Sequence, residues 1–299
     1  MVLLGELAVM LQAVDTALKG GAAPPPSPLP NKLKAEAATT PQPVRGMLEN
    51  LSDSSDRSGR AMLRESLSKV VRAEVGEFCN LAIARRYPVD RLAAQDATQA
   101  DFAQLFGPGG RIDKLMQGAL APYVDTSARP NWRFRPVEGT ALGGDIGSLP
   151  QFQRAAVVRD TFFPAGGAAA ALRLDIKPVE MDTQIKEFIL DVDGQIVRYM
   201  HGPIIPTPVQ WPGPRGSAQV RVQVTGQSGA SLGGMVTEGP WALFRMFDRI
   251  RIEPGPSPER FRATFEVDGR RAVFDVTTSS VRNPFGLREL RDFQCPSSL

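Results

Sequence analysis

The sequence predicts an α+β protein, with an N-terminal all-helical domain followed by a mainly antiparallel β-sandwich domain that carries a short inserted helix and a C-terminal tail. Two observations carry this. Apolar residues recur at helical spacing through the first half of the chain, and from Ala171 onward the period switches from 3.6 to 2. With 299 residues, the chain is long enough for two domains. A composition 42% apolar and 22% charged is globular, and the many prolines and glycines call for frequent turns.

The first stretch, MVLLGELAVMLQAVDTALKGG, places Leu3, Leu4, Leu7, Met10, Leu11, Val14 and Leu18 on one helical face, with Gly20 and Gly21 as a stop. It has no basic leader and is interrupted by Glu6 and Asp15, so it reads as neither signal peptide nor membrane span. Any export signal is expected upstream. The proline-rich GGAAPPPSPLPNK that follows reads as an extended connector, so residues 1–42 are taken as an amphipathic helix plus linker.

Residues 43–147 read as the helical domain. PVRGMLENLSDSSD gives a helix with Val44, Met47, Leu48 and Leu51 on one face, ending in its serine and aspartate cluster. Residues 59–85 give another, with Leu63, Leu67, Val70, Val71, Val75, Phe78 and Ile83, stopped ahead of Pro88. DFAQLFGPGG from Asp101 and the stretch Arg111 to Leu120 predict two shorter helices, and Trp132 and Phe134 anchor an aperiodic segment that ends in GGDIG.

Residues 148–280 are expected to form the sandwich. SLPQFQRAAVVRDTFF opens it as a helix with Ser148 as N-cap and Pro150 in the first turn. The runs ALRLDIKPV, KEFILDVD, QIVRYMHG, AQVRVQVTG, ERFRATFEVD and RRAVFDVTT then alternate as strands. Two Val-Asp-Gly turns, at 192–194 and 267–269, suit type I′ hairpins. The second sets a register. Val267 faces Arg270, Phe265 faces Ala272, Ala263 faces Phe274 and Phe261 faces Val276, while Glu266–Arg271 and Arg262–Asp275 pair opposite charges on the outer face, each worth about 0.2–1 kcal/mol. TEGPWALFRMFDRIRIEPG, residues 237–255, predicts a short helix set among the strands, with Trp241, Phe244, Met246, Phe247 and Ile250 as its apolar side. Residues 281–299 form a tail that packs back on the domains.

Catalytic chemistry finds little support. His201 is the only histidine, no G-x-S-x-G elbow is present (the nearest is GQSGA at 226–230), and two cysteines with one histidine do not supply the usual ligands of a zinc site. LFGPGGRID lacks the lysine of a phosphate loop. Asp175, Asp191 and Asp193 make a weak carboxylate group, since Asp193 is already explained by its turn. The formal net charge of +3 is spread among alternating acids and bases, which disfavours nucleic acid as a partner. The chain reads as a non-enzyme with no cofactor and no metal. What remains is surface: the loop HGPIIPTPVQWPGPRGS, 201–217, is expected to expose Ile204, Ile205, Val209 and Trp211, its prolines equally suited to partner contact or to covering a sheet edge.

Several stretches resemble the C-terminal, periplasmic part of the IcmF/TssM family, the large inner-membrane component of type VI secretion systems. They are PVRGMLENLS, CNLAIARRYPVD, DFAQLFGPGGRIDKLMQGALAPYVDTS with Trp132, FQRAAVVRDTFF, GPWALFRMFD and NPFGLRELRDFQCP, in the family's order along nearly the whole chain. Val89 stands where the family usually has Phe. The family's nucleotide-binding-like region and membrane helices have no counterpart here, so no nucleotide activity is carried over, and the membrane helices are expected upstream.

The resemblance implies a periplasmic scaffold that binds the outer-membrane lipoprotein of the system (TssJ-like), meets a TssL-like inner-membrane subunit through upstream sequence, and self-associates in a ring around the secretion channel. The loops at 201–217 and 226–234, with Ile204, Ile205, Val209, Trp211, Gln227 and Ser228, are the expected grip on the lipoprotein. A periplasmic carbohydrate- or peptidoglycan-binding sandwich, using Trp211 and Trp132 to stack sugars, is the alternative. In an oxidising compartment Cys79 and Cys295 form either a disulfide, worth about 5 kcal/mol for so long a loop, or two separate buried thiols.

Overall fold

The computed structural model describes residues 2–19, 27–136, 142, 147–216 and 219–299. In chain order the helices are α1 (Val2–Lys19), α2 (Leu29–Thr39), α3 (Val44–Val71), α4 (Glu77–Ala82), α5 (Gln99–Phe106), α6 (Arg111–Gln117), α7 (Leu149–Phe162), α8 (Ala242–Asp248) and α9 (Arg288–Arg291). The strands are β1 (Val124–Asp125), β2 (Arg133–Phe134), β3 (Leu172–Met181), β4 (Ile185–Val192), β5 (Gln195–Tyr199), β6 (Thr207–Trp211), β7 (Gln219–Gly226), β8 (Ser231–Glu238), β9 (Arg251–Pro254), β10 (Arg260–Val267) and β11 (Arg270–Thr278). Helices followed by antiparallel sheets match the expected fold class.

The chain forms two compact units, and neither is contiguous. The first takes residues 1–79, 111–153 and 295–299; the second takes 80–110 and 154–294. This differs from the division expected at 147. Residues 80–110 join the second unit because their aromatic side chains find partners there. Phe102 lies with its ring 5.2 Å from Phe162 and 4.9 Å from Trp241, contacts between distant segments that helical periodicity does not reveal.

In the first unit, α2 occupies part of the expected linker. Pro30 sits in its first turn, where its missing N–H costs nothing, and the helix-forming KLKAEAA continues from there. Leu29, Leu33 and Ala37 are buried. The glycines and prolines at 20–26 lie outside the described residues. Of the predicted face of α1, Leu7 and Met10 are half-buried and Leu11 is exposed; the helix meets α2 through Glu6 and Lys32, 3.0 Å apart.

Helix α3 runs through the SDSSD cluster instead of ending there. Ser52 is buried and donates its hydroxyl to the Pro30 carbonyl at 2.7 Å, and Asp56 pairs with Arg60 one turn on at 2.6 Å. A π-helical turn, Arg72–Gly76, joins α3 to α4. Gly76 belongs there by sterics, because a Cβ would lie 2.7 Å from the Pro296 carbonyl oxygen. Cys79 and Cys295 are bonded as a disulfide, with Cα atoms 5.6 Å apart. Past it, Leu299 is buried, its N–H donating to Ser68 Oγ at 2.9 Å and its main-chain oxygen accepting from Arg64 Nε at 2.6 Å. The Ser148 hydroxyl donates to the Ser298 carbonyl, also in this unit.

The second unit holds the sandwich. One sheet has the order β6-β3-β11-β10-β9 and the other β5-β4-β7-β8, antiparallel throughout. The β10–β11 hairpin has the predicted register at all six positions, and Arg262 pairs with Asp275 at 2.9 Å. Both Val-Asp-Gly turns carry positive φ at Asp and Gly (52° and 87°, then 51° and 72°), the left-handed geometry a type I′ turn requires. Phe188 of β4 bridges the two layers, its ring 5.2 Å from Phe265 and 4.9 Å from Phe274. Alternate residues of β3, β7 and β10 are buried, as a half-solvated sandwich demands.

The inserted helix is shorter than expected. Strand β8 continues to Glu238 and β9 begins at Arg251, so α8 spans two turns between them. Its apolar side faces the core: Leu243, Phe244, Met246 and Phe247 are buried, as is Trp241 just before it, and the Trp241 indole N–H donates to the Ala97 carbonyl at 2.7 Å. Two arginines and their acids fasten the 86–98 segment. Tyr87 donates to Asp248 at 2.7 Å, Arg91 pairs with the same carboxylate, and Arg245 holds Asp96 while lying 4.1 Å over the Tyr87 ring.

Candidate partner-binding surface

The β5–β6 connection, Met200–Pro206, passes from one sheet of the sandwich to the other. His201 opens it in the left-handed region, φ 55°, and its Nε2 sits 2.7 Å from the Ile185 carbonyl. The β7–β8 loop closes on itself through Gly226 N–H to Ala230 O (2.9 Å) and Gly229 N–H to Gly226 O (2.9 Å). Its Gln227 donates to the Thr183 carbonyl at 2.8 Å and to that of Ile185 at 3.4 Å. Two loops separated in sequence therefore converge on the β3–β4 turn. His201 and Gln227 are the ties.

Presented beside that junction are Met200, Ile204 and Ile205, 44%, 50% and 66% exposed. Pro203 and Pro206 flank the two isoleucines, limiting the backbone freedom that binding would remove. Ser228, exposed at the tip of the other loop, accepts from the Ala230 N–H at 3.4 Å. Gln227 is exposed too, but its amide N–H₂ is spent on the loop.

Val209 and Trp211 do not belong to this surface. Both are buried, at 2% and 0% exposure, because residues 207–211 form β6 and pair with β3, Val209 opposite Leu174 and Trp211 opposite Leu172. Trp211 packs its ring 4.9 Å from both Trp241 and Phe244. β6 is an edge strand, where Pro208, with no N–H to donate, is tolerated. Burial also removes Trp211 as a platform for a sugar. Met200 was the residue missed, although it directly precedes His-Gly-Pro in the same loop.

Of the carboxylates singled out in the sequence, Asp175 lies within β3 opposite Pro208, and the other two serve turns. Asp191 accepts from the Gly194 N–H at 2.7 Å and Asp193 from the Arg215 N–H at 2.7 Å. Gly213 faces Asp193 so closely that a Cβ would lie 2.6 Å from its side chain. Among the described residues no group of three His, Cys, Asp or Glu is placed to hold a metal ion. Likewise, no helix among the described residues is long and apolar enough to cross a membrane.

Two antiparallel sheets preceded by helices define an α+β protein of the β-sandwich class. Residues 174–280 match the family model of the type VI secretion protein IcmF C2-like domain. Over 294 residues, 98% of the chain, the sequence is 37% identical to the type VI secretion system component TssM1 of Pseudomonas aeruginosa, and it spans 27% of that relative's length. The fold is similar to the C-terminal domain of the T6SS protein TssM from EAEC (TM-score 0.68, 21% identity, 79% of this chain and 98% of that one). It is similar also to chains of two solved assemblies. One is a type VI secretion system membrane core complex (TM-score 0.73, 19% identity, 90% and 56% covered) and the other a type VI membrane complex (0.74, 18%, 97% and 57%). The chain corresponds to the C-terminal region of the IcmF/TssM family, as its motifs led one to expect.

Proposed function

We propose that the chain is a structural, non-enzymatic part of a type VI secretion membrane complex, located in the periplasm, where it binds the outer-membrane lipoprotein of the system and contributes to the envelope-spanning channel. The observation that carries this reading is the 37% identity to TssM1 along nearly the whole chain. The likeness in fold to chains of two type VI membrane complexes supports it. A TssL-like subunit and copies of the same chain are its further partners, the former reached through upstream sequence.

The lipoprotein contact is assigned to Met200, Ile204, Ile205 and Ser228. An apolar loop stiffened by prolines and tied at its base gains from burial while losing little chain entropy. The test is a titration of the chain with the soluble domain of the lipoprotein, by calorimetry. Ile204→Asp with Ile205→Asp should weaken binding at least tenfold, since each buried isoleucine contributes about 1.5–3 kcal/mol. Unaltered affinity in that double variant removes the loop assignment, and absence of binding by the parent chain removes the lipoprotein as its partner.

A further inference from the structure

A cleft of about 660 Å³ lies elsewhere in the second unit, bordered by the end of α8, strand β9, the β9–β10 loop and the tail from Asn283 to Arg291. None of Met200, Ile204 and Ile205 lines it. Its apolar wall is Ile250, Ile252 and Phe285, and one rim is the sequence Pro-Gly-Pro-Ser-Pro at 254–258. That rim is preformed. Gly255 N–H donates to the Arg260 carbonyl at 2.9 Å, Arg260 N–H to that of Ser257 at 3.0 Å, and Asn283 N–H to that of Pro258 at 2.7 Å. Gly255 has no room for a side chain there, as a Cβ would stand 2.7 Å from the Arg260 carbonyl oxygen.

The charges in the cleft do not balance. Arg91, Arg260 and Arg291 line it against one carboxylate, Asp248. Arg91 satisfies Asp248 and donates to the Phe285 carbonyl at 2.6 Å, yet its Nε is buried with no hydrogen-bond partner. Arg291 donates to the Gly286 carbonyl at 2.9 Å, and among the described residues no carboxylate is paired with it. Arg260 has only Glu259 at 3.9 Å, whose carboxylate accepts instead from Ser257 Oγ at 2.5 Å. Two exposed guanidinium groups thus face a cleft with an apolar wall, each able to take a carboxylate in a bidentate grip.

Strand β9 supplies the last element. It is the edge of the five-stranded sheet, paired on one side only with β10. An extended segment lying along it can add backbone hydrogen bonds to side-chain recognition. We propose that this cleft binds an extended acidic peptide segment of a protein partner, its carboxylates on Arg260 and Arg291 and its apolar side chains against Ile250 and Ile252. A sugar chain fits less well. No Trp or Tyr lines the cleft, and its two phenylalanines, Phe247 and Phe285, are buried with their rings stacked on each other at 4.3 Å.

The experiment is fluorescence anisotropy of the full 299-residue chain with a labelled decapeptide alternating glutamate with valine. Saturable binding is expected, weakened by salt, at least tenfold weaker for the same peptide with glutamine in place of glutamate, and at least tenfold weaker for the Arg260→Glu, Arg291→Glu double variant. Both arginines are exposed, so circular dichroism should show that this variant keeps its fold. No saturable binding overturns the proposal, and so does equal binding of the glutamine peptide or of the double variant. Binding of soluble cell-wall disaccharide-peptides in place of the acidic peptide overturns it in favour of a cell-wall ligand.

Discussion

Cys79 and Cys295, 216 positions apart, are joined in a disulfide at the point where the tail rejoins the first unit. Closing so long a loop restricts the unfolded chain by roughly 5 kcal/mol in the chain-entropy view. The residues beyond it are held by hydrogen bonds donated by Arg64 and Ser148, by the Leu299 N–H donating to Ser68 Oγ, and by burial of Leu299. Replacing both cysteines by alanine should lower stability by about 2–5 kcal/mol, read as a shift in urea midpoint. Thiol labelling of the denatured, unreduced parent should find no reactive thiol; two reactive thiols would mean that the bond does not form in the folded protein.

Trp241 joins the sandwich to the 86–98 segment, since its indole N–H meets the Ala97 carbonyl at 2.7 Å and its ring packs among Phe102, Phe162, Trp211 and Phe244. Trp241→Phe leaves the Ala97 carbonyl without its donor and should cost about 1–3 kcal/mol. Trp241→Ala removes the whole ring and should cost about 3–5 kcal/mol or prevent folding. If chemical unfolding ranks the two variants equally, the hydrogen bond and the ring packing have been wrongly apportioned.

Tyr87 makes the second unit sensitive to alkali. Burial first, then its hydrogen bond to Asp248, holds the hydroxyl well above the ordinary tyrosine value of 10.0. Because the folded state keeps this proton more tightly than the unfolded chain does, the stabilisation is complete below about pH 10 and is lost progressively above it. Tyr87→Phe should cost about 1–2 kcal/mol at neutral pH through the lost hydrogen bond. It should also flatten the fall in stability above pH 10, measured as denaturant midpoint against pH. A parent and variant that decline in parallel would show that Tyr87 is not the group responsible.

The β10–β11 hairpin was legible to the residue because large apolar side chains alternate with small ones across it, so that only one register buries Phe261, Phe265 and Phe274. Strands β6 and β8 were not, and for opposite reasons. Pro206 and Pro208 disguise an edge strand whose free side needs no N–H, while Gly233 and Gly234 remove the alternation from β8. Gly234 is required by a close approach, since a Cβ would stand 2.2 Å from the Val222 carbonyl oxygen. Of the candidate surface, Ile204 and Ile205 were visible as apolar residues between prolines. Its anchoring was hidden, because His201 and Gln227 meet only through the backbone of the β3–β4 turn. The cleft beside β9 was hidden too, as it is assembled from residues between 91 and 291 that share no sequence pattern.

Gly239 tests how tightly the 86–98 segment is seated. Its φ is 98°, in the region that favours glycine, and a Cβ there would lie 2.6 Å from Asp96 Oδ2. Asp96 has little freedom to yield, since Arg245 donates to it at 3.0 Å while also reaching the Ala93 carbonyl at 3.0 Å. Gly239→Ala therefore meets both backbone strain and a carboxylate that is already held. Gly269, φ 72°, is the control: its turn imposes the same kind of strain, but nothing lies within 4 Å of where a Cβ would be. Gly269→Ala should cost about 1–2 kcal/mol from strain alone. Gly239→Ala should cost at least about 1 kcal/mol more and speed hydrogen exchange at the Ala97 amide, which donates to the Tyr87 carbonyl at 2.8 Å. Equal losses in the two variants, with Ala97 exchange unchanged, would show that the segment adjusts to the added methyl group and that Asp96 is not a rigid contact.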